Sequence, residues 1–87
     1  MLPTNQEISL KLREQANILA HKGGNLYRIR AFRQAAMAVL ALPDEVSSLV
    51  TAGGEKALEQ VPAIGKSLAV TICSYVLKEE AMKLTAV

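Results

Sequence analysis

Apolar residues recur at helical spacing from the start of the chain. Ile8, Leu12, Ala16 and Leu19 share one face, with polar side chains between them. Just ahead, Thr4-Asn5-Gln6-Glu7 has the form of a capping box, in which Thr4 accepts from the N–H three residues on and Glu7 reaches back. Gly23-Gly24 supplies a glycine stop for this helix. Asn25 is a suitable N-cap for a second helix, whose inward face is Ile29, Phe32, Ala36, Val39 and Leu40 and which ends at Leu42-Pro43. Asp44 and Glu45 open a third helix, where acids favour the positive end of the dipole, and Gly53-Gly54 closes it. A short helical turn over about residues 55–60 leads into Val61-Pro62-Ala63-Ile64-Gly65, and a last helix starts at Lys66.

That last helix is apolar around most of its circumference, through Leu68, Ala69, Val70, Ile72, Cys73, Tyr75, Val76 and Leu77. Such a helix is expected at the centre of a bundle, packed on several sides. Its one polar stripe is Ser67, Thr71, Ser74 and Lys78; Lys83 and the apolar residues 84–87 either extend the helix or fray. Strand signals and repeats are absent. The pattern predicts an all-α fold, a compact bundle of four main helices plus a short helical turn.

Composition refines this picture without changing it. The 87 residues make one domain, 1–87, with a modest core. Half the chain is apolar but only Tyr27, Phe32 and Tyr75 are aromatic, so the core is built from Leu, Ile, Val and Ala. No apolar run is long enough for a membrane span, and no basic start precedes an apolar stretch as in a secretory signal. Cys73 is the single cysteine, which excludes an internal disulfide, fits a reducing intracellular setting and reads as a buried, inert thiol.

Charge is informative through its distribution. The net charge is only +2, but residues 21–34 hold Lys22, Arg28, Arg30 and Arg33 with no acid, whereas residues 43–60 hold Asp44, Glu45, Glu55 and Glu59 against Lys56. One face is expected to be basic on a nearly neutral molecule. The arginines serve either as phosphate contacts or as structural partners of Glu7, Glu14 or an acid of the third helix.

The chemistry concentrates at the hairpin. A glycine at a helix entrance leaves backbone N–H groups free with the positive end of the dipole behind them, an arrangement suited to phosphate. Gly65 holds that position, Lys66 adds a point charge, and Leu58, Val61, Ile64, Leu68, Ala69 and Ile72 hold the two helices together. The pattern, over about residues 55–78, resembles the helix-hairpin-helix motif, which grips the DNA backbone without reading bases.

Upstream, Gly24-Asn25-Leu26-Tyr27-Arg28-Ile29-Arg30-Ala31-Phe32-Arg33-Gln34-Ala35-Ala36 looks like the corresponding helix of the amino-terminal domain of family X DNA polymerases (polymerase beta-like). Asn5, Ile8, Ala41-Leu42-Pro43 and Gly54 with Ala57-Leu58 agree with it in order and spacing, so the resemblance spans residues 5–84. A related domain occurs in some structure-specific endonucleases. The resemblance implies DNA binding at gaps or ends through backbone phosphates, in repair or replication. Gly65, Lys66, Ala63 and Ser67 of the hairpin and Arg28, Arg30 and Arg33 would make the contacts. It further implies a monovalent cation held by the carbonyls of Glu59, Val61 and Ile64, with no other cofactor.

Two positions depart from the family pattern. The Schiff-base lysine of the family's deoxyribose-phosphate lyase falls on Thr71, whose hydroxyl forms no imine; a lyase here would need another amine, Lys66 or Lys78. Ala63 stands where the hairpin usually carries its first glycine, at a strain of about 1 kcal/mol or more if the backbone there has positive φ.

The remaining candidates are weak. Tyr27 is expected to staple a helix start to the core rather than stack on an end base, and Phe32 and Tyr75 are core. His21 has no second ligand nearby, and the scattered carboxylates form neither a catalytic pair nor a divalent-metal cluster. The reading is a non-enzymatic, monomeric DNA-binding domain, either a whole protein or a piece of a polymerase or nuclease. A divergent lyase and a protein-interaction module that kept the fold without DNA binding are the alternatives.

Overall fold

The computed structural model describes residues 2–85, with side chains through residue 78. Four helices follow one another, α1 (Asn5–His21), α2 (Leu26–Ala41), α3 (Val46–Glu59) and α4 (Lys66–Thr85), and no strand occurs among the described residues. The expected all-α bundle is therefore the fold. Lys83 and residues 84–87, as side chains, lie outside the described residues.

Local chemistry sets the helix ends. The Thr4 hydroxyl oxygen accepts the Glu7 N–H at 3.2 Å and donates its own proton to Oε1 of Glu7 at 3.3 Å. Glu7 thus reaches back to the Thr4 side chain. After α1, the N–H of Gly23 binds the Ala20 carbonyl and that of Gly24 binds the Leu19 carbonyl, at 3.2 and 2.8 Å. This is the Schellman closure, and Gly23 takes the positive φ of 70° that it demands. Oδ1 of Asn25 accepts the Tyr27 N–H at 2.8 Å and so caps α2.

α3 bends sharply. Gly54, at φ 61° and ψ −146°, sits in a region open almost only to glycine, so the helix is two segments joined by a kink. The sequence break at Gly53-Gly54 and the short turn after it correspond to this kink. The start of α3 is held by α1 rather than by its own acids. Asn5 Nδ2 donates to the Asp44 carbonyl (2.9 Å), Asn5 Oδ1 accepts the Val46 N–H (2.7 Å), and Glu45 Oε2 accepts the Asn5 N–H (2.9 Å). Asn5 is thus a cap supplied from a distant part of the chain.

α1 and α2 pair antiparallel across the four-residue link 22–25 and form the tightest helix contact, while α4 packs mainly on α3 and touches α1. Ile8, Leu12, Ala16, Phe32, Ala36, Val39, Leu58, Ile72 and Val76 fill the centre. Two buried hydroxyls are satisfied across it, Ser9 by the Ala36 carbonyl (3.0 Å) and Ser47 by the Pro3 carbonyl (2.6 Å). Three expectations change. α4 is not enclosed, because Val70 and Leu77 remain exposed where no other helix covers them. Leu40 faces outward and Ala35 inward, since the α2 core face is centred nearer Phe32. Tyr27 is 84% exposed and does not staple the turn to the core.

Candidate nucleic-acid interface

The hairpin is a hydrogen-bonded turn. The Ile64 N–H donates to the Val61 carbonyl at 3.1 Å, with Pro62 second and Ala63 third in the turn. Ala63 has φ 74° and is the non-glycine residue with positive φ among those described, which matches a type II turn that normally asks for glycine at this place. Proline fixes the second position, and Val61 and Ile64 anchor the turn from below by burying their side chains. The strain anticipated at Ala63 is present.

α4 leaves the turn without a side-chain cap. Gly65 occupies the position where Thr4 and Asn25 cap α1 and α2, and its carbonyl already takes the Ala69 N–H at 2.9 Å. The N–H groups of Gly65, Lys66, Ser67 and Leu68 therefore have no acceptor among the described residues. Gly65 is exposed, and a Cβ placed on it would meet nothing within 4 Å. The amides open outward.

They open into a groove of about 510 Å³ between the hairpin and the first turns of α2. One wall is Ala63, Gly65, Lys66 and Ser67; the other is Asn25, Tyr27, Arg28 and Ala31, and Phe32 and Leu68 form the apolar floor. No acidic residue lines it among the described residues. The Arg28 guanidinium lies over the Phe32 ring, 5.5 Å from its centroid, which holds the charge at the groove without an ion pair. Two cations, a run of free amides and an exposed phenol thus meet in one place. That combination suits a phosphodiester, with room for a base against Tyr27.

The arginines separate. Five residues on an α-helix turn about 140° around the axis, so Arg33 lies on the other flank of α2 from Arg28. There it lines a second groove with Arg13, Asn17 and Met37. Arg30 is exposed but is not part of the hairpin groove. Of the three carbonyls named as cation ligands, that of Val61 accepts the Ile64 N–H and keeps one lone pair, while those of Glu59 and Ile64 take part in no turn hydrogen bond. Thr71 Oγ1 donates to the Ser67 carbonyl at 3.1 Å, a local helix bond, and Ser74 does the same to Thr71 at 2.7 Å. Cys73 is buried, and burial first, with the Glu55 charge second, pushes its thiol pKa up, so it stays protonated and unreactive near neutrality.

The hairpin between α3 and α4 around Gly65 is the geometry of a helix-hairpin-helix, and a family comparison gives the same answer from the sequence. The helix-hairpin-helix domain family matches residues 3–81, nearly the whole chain, and the protein belongs to that family. Domains of this kind generally bind DNA without sequence preference. Neither curated proteins nor solved structures yield a match. No described helix is long and apolar enough to cross a membrane.

Proposed function

We propose that this domain binds DNA non-specifically, through backbone phosphates seated in the hairpin groove. The observation that carries the reading is the convergence of uncapped α4 amides, Lys66 and Arg28 on one groove that no described acid lines. Phosphate contacts position a duplex but carry no base information, so little sequence preference is expected. Tyr27, exposed on the rim beside Arg28, favours a strand end or gap over continuous duplex, because only an unpaired or terminal base offers a free face for stacking. The resemblance to family X polymerases over the hairpin and α2, with Ala63 as its departure, supports repair or replication as the setting.

The domain is proposed to be non-enzymatic. Thr71 occupies the address of the family's reactive amine and supplies a hydroxyl engaged with its own helix. Anisotropy titrations against gapped, nicked, single-stranded and intact duplex DNA test the reading. Tighter binding to gapped or nicked DNA than to intact duplex is expected, and equal absence of binding to all four at low salt would overturn it. Borohydride trapping on incised abasic DNA tests the lyase alternative, and no covalent adduct is expected.

A further inference from the structure

The second flank of α2 carries a different surface. Two contiguous lobes, of about 380 and 210 Å³, share Arg13 and run along the junction of α1 and α2. Leu10, Met37 and Leu40, exposed by 57, 64 and 48%, supply apolar contact, and Arg13 and Arg33 supply charge. Among the described residues no acid lines either lobe, and neither guanidinium has an ion-pair partner. α4 lies on the opposite side of α1, where Lys11 sits 5.7 Å from the Tyr75 ring centroid, so the rest of the described fold leaves this junction uncovered.

The spacing of the rim residues has a meaning. On α1 they fall at Gln6, Leu10, Arg13 and Asn17, and on α2 at Arg33, Met37 and Leu40, steps of four and three on both helices. Two antiparallel helices with such stripes form a furrow that a third helix can occupy. From Gln6 to Asn17 the furrow is about 16 Å long at 1.5 Å per residue, the length of roughly three helical turns.

We propose that this furrow docks an acidic amphipathic helix of a partner protein, with its apolar stripe on Leu10, Met37 and Leu40 and its carboxylates on Arg13 and Arg33. Charge complementarity decides the occupant: two unpaired guanidiniums amid exposed apolar side chains match a helix carrying both Leu and Glu. A phosphate strand would use the arginines and leave the apolar side chains without a counterpart. Methionine at the centre tolerates variation in the docked side chains.

The probe is a designed helical peptide of about 16 residues, with Leu at positions i, i+3 and i+7 and Glu on the flanks, compared with a twin carrying Lys for every Glu. Titration into the isotopically labelled full chain, followed by amide shifts, is expected to perturb the residues around Leu10, Arg13, Asn17, Met37 and Leu40. The basic twin is expected to bind at least tenfold more weakly. Arg13→Glu with Met37→Asp is expected to abolish peptide binding while weakening DNA binding much less than Arg28→Glu does, and an unaltered circular dichroism melt confirms that the variant folds. No peptide binding at millimolar concentration, equal binding of both twins, or shifts confined to the hairpin would overturn the proposal. So would DNA-induced shifts in the furrow, or self-association lost with Met37→Asp, which would assign the face to DNA or to a second copy. Failure of DNA binding leaves this test intact, because the two grooves are read by different residues.

Discussion

Replacing Ala63 by glycine should stabilise this protein, although the same change in a helix destabilises. Ala63 sits at φ 74°, where an L side chain brings Cβ against the backbone at a cost of roughly 1–2 kcal/mol. Glycine removes that strain but gives the unfolded chain more freedom, which offsets about 0.4–1 kcal/mol. The difference spans about 0–1.6 kcal/mol and centres near 0.8 kcal/mol, equivalent to roughly 3–6 °C in Tm for a domain of this size. Ala63 is exposed, so no buried methyl is lost and no cavity term enters. The control is Ala38→Gly, one turn before the end of α2, expected to lower Tm by up to about 4–8 °C, since glycine costs up to about 1 kcal/mol within a helix. Thermal melts by circular dichroism at matched concentration measure both. A Tm that falls in Ala63→Gly as it does in Ala38→Gly would refute the strained-turn reasoning.

Asn5→Ala removes the remote cap of α3, two side-chain hydrogen bonds at once, and should cost about 1–2 kcal/mol in denaturant unfolding, while Gln6→Ala beside it should cost little. Arg28→Glu should weaken DNA binding much more than Arg33→Glu, because only Arg28 shares the groove with Lys66; parallel anisotropy titrations compare them. Burial raises the Cys73 thiol pKa in the folded state. Its contribution to stability is therefore complete below about pH 8.5 and is lost as pH climbs through the raised value, where only the unfolded chain releases the proton. Melts from pH 7 to 10 should show that decline in the native protein and a smaller one in Cys73→Ala.

The sequence was most legible where chemistry is local. Thr4, Gly23, Asn25 and Gly54 mark helix ends through their own backbone demands, and each demand is visible within four residues. The turn at Pro62-Ala63 was legible for the same reason, down to the strain at Ala63. What depends on the packing of distant segments was not. Asn5 reads as an ordinary first-turn residue and is instead the cap of α3, about forty residues away. Tyr27 has the position of a staple, but α2 begins with that side chain turned toward the open groove, and no periodicity argument decides this. The three arginines are close in sequence and look like one patch. Helical rotation places them on different flanks, and only the position of the hairpin tells which flank is which. Apolar content alone suggested that α4 was packed on several sides; it does bury as many core side chains as α2, yet Val70 and Leu77 stay exposed on its uncovered flank. The furrow beside Arg13 shows in the chain only as two separate stripes of steps four and three, and nothing in the sequence says that the two stripes face each other.

The central claim is that phosphates sit on the α4 amides with Lys66 and Arg28 beside them. Binding of a fluorescent gapped duplex measured between 20 and 200 mM salt tests it most directly. With roughly 2–3 phosphates engaged by Lys66, Arg28 and the α4 amides, log Kd should rise against log salt with a slope of about 2–3, and Lys66→Ala should lower that slope by about 1 at every sequence tried. A slope near zero, or one that Lys66→Ala leaves unchanged, would contradict the account.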